Sequence, residues 1–258
     1  DADASVPQDY FEQLDSASVD AVAAVFPFQH MPGEKQGCNI ATELYELRLH
    51  HYVLGLKYAS SPYAYHTLGS CIAIRANAYV KVRGFPKRAG AEDFYMLNKL
   101  AKVGPISRLS GQCIQLESRH SSRVPFGTGP AVAAIVAAGR PEDVRIFDHP
   151  RCFEALRALL ASLPELTQSP DAALAPIFVR QGLDVTVAEQ SDVALQALGI
   201  RSGLAHCQRQ SKSSAQFQRQ FQQWFDAFRT LKFIHLMRDA GWEQQSLTQL
   251  DALQPNLW

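Results

Sequence analysis

The stretch Gly69–Leu100 reads GSCIAIRANAYVKVRGFPKRAGAEDFYMLNKL, and its pattern of apolar residues predicts one strand followed by two helices. Alternation over Cys71–Arg75 is typical of a strand, and Asn77–Val82 is predicted to be a short helix that Gly84 ends. Glu92–Val103 is predicted to be a longer helix, because its apolar residues recur at steps of three and four. Helices and a strand in close succession predict a mixed α/β fold here.

The rest of residues 1–125 fits the same mixed α/β pattern. Pro7–Leu14 is predicted to be a short helix, since proline suits the first turn. The segment Gln29–Asn39, which contains proline and glycine, is predicted to be a loop, and Ile106–Ser118 to hold one or two strands. Ala41–Ala59 gives the clearest helical pattern, with an expected apolar stripe of Leu44, Leu47, His51, Leu54 and Tyr58.

Beyond the turn-rich segment 126–130, the chain becomes rich in Ala, Leu and Gln and is predicted to be mainly α-helical. The predicted helices are Cys152–Leu163, Asp171–Gln181, Ser191–Leu198 and a long one over Ser213–Asp239. The long helix carries a stripe that we interpret as core: Phe217, Phe221, Trp224, Phe225, Phe228, Leu231 and His235. The predicted organisation is therefore an α/β domain over residues 1–125 and a helical region over residues 126–258.

Composition narrows the functional classes. The chain has 258 residues of which 47% are apolar, which is enough for a core and excludes a disordered protein. Its 25 basic and 25 acidic side chains cancel, which argues against general nucleic-acid binding. No apolar run reaches the roughly 18 residues of a membrane span, and no basic-then-apolar leader opens the chain. The five cysteines form no CxxC motif and predict reduced, mostly buried thiols. We therefore expect a cytoplasmic protein, for which peripheral association with a membrane stays open.

The first three residues, Asp1-Ala2-Asp3, place two carboxylates one residue apart. Such a pair can face one Mg²⁺ or Mn²⁺ ion, whose remaining positions are filled by phosphate oxygens of a substrate. Because a motif of this kind normally ends a buried strand, we expect the natural protein to continue upstream of Asp1.

Two other interpretations of these residues fit less well. Together with Ser5, Asp9 and Glu12, they fall on the ligand positions of a calcium-binding EF-hand loop, but Val6 stands where the sharp turn requires glycine. A phosphatase with Asp1 as its nucleophile would need a hydrophobic strand before the motif and a lysine and acidic pair after it, and neither is evident.

Three further segments carry groups that could do chemistry. Gly69 and Ser70 precede a predicted strand and would let the backbone approach a ligand closely. Glu92 and Asp93 lie in the first turn of a predicted helix, whose dipole favours the ionised carboxylate that a general base needs. In Arg119-His120-Ser121-Ser122-Arg123, after the last predicted strand, a neutral imidazole could bind a cation and the arginines would suit phosphate. Taken singly, each is also typical of a turn, a helix start or a solvated loop.

In this order, the motifs resemble those of the inverting glycosyltransferases of family 2, which have the GT-A fold. The resemblance is strongest over Gly69–Leu100 and extends more loosely over residues 1–125. It implies a Rossmann-like nucleotide-diphospho-sugar transferase fold, of which this chain holds the C-terminal part of the catalytic domain, from the DxD motif onward. One departure is Arg83-Gly84-Phe85, where the family usually has Gly-Gly-Phe.

The resemblance implies a role for each motif residue near the predicted helix start. Asp93 matches the catalytic base of the family, and Glu92 is expected to help hold the acceptor or position the loop. Gly69 and Ser70 match the glycine loop that lines the pocket for the donor sugar and the acceptor.

The resemblance also implies a divalent cation, Mg²⁺ or Mn²⁺, as the cofactor. Asp1 and Asp3 match the motif for the metal and the nucleotide-sugar diphosphate. His120 matches a histidine that contributes to the metal or diphosphate after the last core strand. We add Arg119 and Arg123 as substrate-binding residues on electrostatic grounds alone.

The implied activity is metal-assisted transfer of a sugar from a nucleotide-sugar donor to a hydroxyl of a saccharide or other acceptor, with inversion. A positioned carboxylate, Asp93, would take the proton of the acceptor hydroxyl as the new bond forms. A cation and nearby basic groups would offset the charge of the departing diphosphate. Since the family's nucleoside-binding strands would lie upstream of Asp1, we expect these 258 residues alone to be weakly active or inactive. The alternative is a non-catalytic, glycosyltransferase-like binding or assembly module.

Overall fold

The computed structural model describes residues 4–33, 36–118 and 127–253. The chain forms two compact units. The sheet unit comprises Asp1–His50 and Tyr65–Val144, and the helical unit comprises His51–Ala64 and Arg145–Trp258. The predicted boundary between residues 125 and 126 lies outside the described residues.

The sheet unit holds every strand of the described part of the chain. Its elements are β1 (Ala4–Ser5), α1 (Tyr10–Asp15), β2 (Ala23–Val25), β3 (Phe28–Met31), the first part of α2 (Gln36–Tyr58), β4 (Ile72–Ile74), α3 (Ala76–Lys81), α4 (Glu92–Leu100), β5 (Ile106–Arg108), β6 (Ile114–Glu117) and α5 (Thr128–Ala137). Single 3₁₀ turns lie at Gly69–Cys71 and Pro141–Asp143.

The strands form two mixed sheets of three strands each. In one, the order is β1-β6-β3, with β6 antiparallel to β1 and parallel to β3. In the other, the order is β4-β2-β5, with β2 antiparallel to β4 and parallel to β5. An apolar cluster that includes Ala24, Phe26, Phe28 and Ile114 forms the core beside them. The predicted α/β class is therefore confirmed for this part of the chain.

One prediction for the sheet unit is wrong, and one for α2 is confirmed only in part. Gln29–Asn39 is not one loop, because β3 runs to Met31 and α2 begins at Gln36. The expected stripe on α2 is confirmed at Leu44 and His51, which are buried, and wrong at Leu47 and Leu54, which are exposed. The other buried residues of this stretch include Ala41, Tyr45, Leu56 and Ala59. The small residues among them permit close packing, and a pattern based on large apolar side chains overlooks them.

The helical unit consists of the end of α2 and eight further helices in the described residues. They are α6 (Pro150–Ala161), α7 (Leu163–Gln168), α8 (Leu174–Arg180), α9 (Val185–Ala197), α10 (Ile200–Gln210), α11 (Ser214–Trp224), α12 (Ala227–Asp239) and α13 (Leu247–Leu253). Its core is one continuous cluster that contains fully buried aromatic rings: Phe153, Phe178, Phe217, Phe221 and Phe233.

The predicted long helix over Ser213–Asp239 is two helices, α11 and α12, that meet at Phe225 and Asp226. The carboxylate of Asp226 accepts a hydrogen bond from the backbone N–H of Arg229 at 3.1 Å and so caps α12. This break changes which positions face inward. The predicted stripe is confirmed where it concerns Phe217, Phe221 and Phe225, and it is wrong for His235, which is exposed. After the break, the buried side chains are Phe233, Ile234 and Met237.

Two predictions from composition can be compared with the structure. All five cysteines are free thiols, and Cys38, Cys71, Cys152 and Cys207 are buried, as predicted. Among the described helices, none combines the length and the apolar character that crossing a bilayer requires.

Candidate active site

Gly69 and Asp93 come together in the sheet unit. Asp93 lies in the first turn of α4, and Gly69 begins the 3₁₀ turn that precedes β4. A Cβ atom built on Gly69 would lie 3.8 Å from the Cβ of Asp93 and 3.9 Å from its Oδ2. The backbone N–H of Gly69 donates a hydrogen bond to the Asp93 carboxylate. The backbone amide of residue 69 therefore reaches the Asp93 carboxylate, and a glycine there adds no side chain beside it.

The environment of Asp93 makes its carboxylate more basic than usual. Burial is the main cause that raises its pKa, and the nearby charge of Glu92 acts in the same direction. Hydrogen bonds from the N–H groups of Phe94, at 2.7 Å to Oδ1, and of Gly69 oppose the rise without cancelling it. A raised pKa strengthens a carboxylate as a proton acceptor, which is the property that a general base requires.

The two neighbouring carboxylates differ in exposure. Glu92 is exposed, whereas Asp93 is half-buried. The turn before them has Ala91 at φ +53°, a left-handed conformation that costs an L-residue about 1–2 kcal/mol. The next residue, Glu92, begins α4, and the Asp93 carboxylate accepts a hydrogen bond from the N–H of its neighbour Phe94. Of the predicted catalytic pair, Asp93 is thus the half-buried member, and its pKa is raised.

Five predicted site residues, Asp1, Asp3, Arg119, His120 and Arg123, lie outside the described residues. The described residues next to these segments do meet, because Ala4 in β1 pairs with Leu116 in β6. Within residues 4–33, 36–118 and 127–253, no group of three or more His, Cys, Asp or Glu side chains is placed to hold a metal ion.

Sequence reasoning missed a polar cluster in the sheet unit, which we call the histidine cluster: His30, Glu46, His50 and His66 around the ring of Phe28. Glu46 Oε2 lies 2.7 Å from His30 Nδ1 and accepts a second hydrogen bond, at 2.7 Å, from the backbone N–H of His30. His50 Nε2 lies 3.8 Å from Glu46 Oε1. The ring of Phe28 stacks on His50 at 5.3 Å between centroids and meets the edge of His66 at 5.0 Å.

Electrostatics set the charge states in the histidine cluster. Burial alone would raise the pKa of Glu46, but hydrogen bonds from His30 and His50 outweigh it and lower the pKa to about 2. Burial, reinforced by His50 and opposed by Glu46, lowers the pKa of His66 to about 4. His66 is thus neutral near pH 7, and its ring packs against the rings of Phe28 and His50. The sequence feature that could have pointed to this cluster is the i,i+4 spacing of Glu46 and His50 on one helix.

Chemically, the Gly69–Asp93 arrangement offers a carboxylate of raised proton affinity at a helix start, beside the backbone of a glycine. It can accept a proton from a hydroxyl group held against Gly69. Comparison of this chain with protein-family models, with curated proteins and with solved structures gives no match.

Proposed function

We propose that this chain is the catalytic part of an inverting glycosyltransferase with the GT-A fold, and that Asp93 is its general base. The observation that carries the proposal is the approach of Gly69 to the Asp93 carboxylate. The two residues belong to separate motifs that the family resemblance assigns to one pocket. Their contact is what a shared site for sugar donor and acceptor would need.

The strand arrangement adds support. β1 begins at the residue after Asp3, and it pairs with β6, the strand that precedes the segment containing His120. The described ends of the two segments proposed to hold the metal and the diphosphate are therefore neighbours in one sheet. We propose that Asp1, Asp3 and His120 hold a Mg²⁺ or Mn²⁺ ion, which would supply positive charge beside the departing diphosphate.

In the proposed reaction, the acceptor hydroxyl lies against the Gly69–Ser70 turn with its proton directed at Asp93. As the oxygen attacks the anomeric carbon, the carboxylate takes that proton and the bond to the diphosphate breaks on the opposite face. Burial raises the pKa of Asp93 and so favours this transfer. Glu92, which is exposed, is assigned to holding the acceptor.

We also propose a cytoplasmic location and nucleotide-sugar and hydroxyl acceptor partners, without nucleic acid. Five free cysteines support a reducing compartment. Equal numbers of acidic and basic residues, 25 each, give no overall charge with which to attract a nucleic-acid backbone.

The test is a screen of UDP-, GDP- and dTDP-sugars with the natural protein that contains this sequence, measuring release of free nucleoside diphosphate. With the donor that reacts, Asp93→Asn should lower kcat by about 10²–10⁴-fold, because the general base is lost. The affinity for the donor, measured by calorimetry, should stay within a few-fold. The matched control Glu92→Gln should lose less, since its side chain is exposed.

Full activity of Asp93→Asn would overturn the assigned base. Failure of every nucleotide-sugar to react, combined with donor binding that Mn²⁺ does not affect, would favour the non-catalytic module instead.

A further inference from the structure

A basic and apolar surface, formed by residues 79–87, lies just before α4 in the sheet unit. Between positions 75 and 88 the chain has five cationic side chains and no acidic one, although its net charge is zero. The five are Arg75, Lys81, Arg83, Lys87 and Arg88. Such a local excess of positive charge attracts anionic partners.

Not all five cations are available to a partner. Arg75 donates hydrogen bonds to the backbone carbonyls of Ala21 and Val19. The guanidinium of Arg88 lies over the ring of Tyr95, 3.8 Å from its centroid. Lys81, Arg83 and Lys87 are exposed, and none of them forms an ion pair with a described acidic side chain.

Three exposed apolar side chains accompany these cations. Val80 is 73% exposed, Phe85 42% and Tyr79 41%. The rings of Tyr79 and Phe85 lie 6.1 Å apart between centroids, so they form one apolar area. Neighbouring exposed aromatic side chains in a cationic segment are a combination that interaction surfaces use.

The turn that shapes this surface is well defined. Arg83 and Gly84 both have left-handed φ values, +60° and +68°, and they fold Phe85 back toward Tyr79. A Cβ atom on Gly84 would lie 3.0 Å from the Tyr79 hydroxyl, so only glycine fits there without displacing the ring. Lys99 Nζ in α4 donates to the carbonyl of Gly84 at 3.1 Å. The surface is therefore anchored to the helix that carries Asp93.

We propose that residues 79–87 dock the protein on an anionic lipid bilayer. Aromatic and aliphatic side chains partition into the interface of a bilayer, and lysine and arginine beside them bind anionic headgroups. Val80, Tyr79 and Phe85 supply the apolar part, and Lys81, Arg83 and Lys87 supply the charge. The proposal concerns binding alone and holds whether or not the proposed sugar transfer is correct.

The test is flotation of the chain with vesicles of phosphatidylcholine alone or mixed with phosphatidylglycerol, without any sugar donor. The expected result is binding to the mixed vesicles only, and weaker binding at high salt because screening reduces the attraction. The triple variant Lys81→Glu, Arg83→Glu, Lys87→Glu should bind at least tenfold more weakly. The apolar variant Val80→Ser, Phe85→Ser should also bind more weakly but keep its salt dependence.

The matched control carries the same charge change on exposed positions of the helical unit: Arg209→Glu, Lys212→Glu and Arg219→Glu. It should bind mixed vesicles like the parent chain, and circular dichroism should show all variants folded. Equal weakening by the control would overturn the assigned surface, because net charge alone would then explain binding. If the chain bound neither kind of vesicle but bound polyglutamate through Lys81, Arg83 and Lys87, the membrane proposal would be overturned. The surface would then be one that binds an acidic protein.

Discussion

Gly69 places no side chain beside the Asp93 carboxylate, the candidate base. A Cβ atom at this position would meet Asp93 at 3.8 Å, an ordinary contact distance. We therefore expect Gly69→Ala to change the free energy of unfolding by less than about 0.5 kcal/mol. Gly69→Leu should fold too, yet it should lower the transfer rate at least about tenfold by covering the carboxylate. Parallel urea unfolding and turnover measurements check both; equal rates for the two variants would contradict the assigned role.

The histidine cluster predicts a defined pH dependence of stability. The pKa of His66 is about 4 in the folded protein against an ordinary 6.5, so between these values only the unfolded chain binds the proton. Stability should fall as the pH drops from 6.5 to 4, by roughly 3 kcal/mol in all. The pKa of Glu46 is lowered from 4.5 to about 2. The stability that its ionised carboxylate contributes is therefore lost as the pH falls from 4.5 to about 2. Urea unfolding from pH 7.5 to 4 measures the first effect, and His66→Gln should flatten the slope. An unchanged slope in that variant would contradict the assignment.

At the scale of elements, α2 shows how a missing side chain determines helix packing. A Cβ atom on Gly55 would lie 2.5 Å from the ring of Phe153, which is fully buried, whereas one on Gly37 would meet nothing within 4 Å. Gly55→Ala should lower the free energy of unfolding by about 1–3 kcal/mol, because the ring has no space to move into. Gly37→Ala, on the same helix, should leave stability unchanged or raise it by up to about 1 kcal/mol. Thermal and urea unfolding of the two variants give the comparison, and similar effects of both would show that the Phe153 contact is unimportant.

For the whole molecule, the helical unit is built from two separated segments, His51–Ala64 and Arg145–Trp258. The first segment contributes buried core residues, among them Leu56 and Ala59. It also contributes the hydroxyl of Tyr63, which donates to the Gln222 carbonyl at 2.6 Å. The chain from Arg145 onward should therefore unfold at a lower temperature than the same residues in the full chain, since these contacts are lost. A peptide of residues 51–64 added in trans should restore part of the difference in circular-dichroism melts. A fragment as stable as the full chain would contradict this organisation.

The sequence by itself determined the features that depend on near neighbours. Steps of three and four predicted most helices, including the start of α4 at Glu92, and alternation predicted β4 within Cys71–Arg75. These patterns work because hydrogen bonds and side-chain contacts within one helix or strand join residues a few positions apart. The same patterns, with the family resemblance, singled out Gly69 and Asp93 as candidate site residues.

Tertiary structure alone decided which of these residues meet and what their charge states are. The approach of Gly69 to Asp93 and the histidine cluster join separate elements, and the buried face of α2 depends on rings such as that of Phe153. The sequence pattern also did not reveal the break at Phe225 and Asp226, because apolar residues keep helical spacing across it. Burial shifts the pKa values of Asp93 and His66, and burial is a property of the packed molecule. No local pattern carries that information, because it depends on residues distant in sequence that exclude water from the same place.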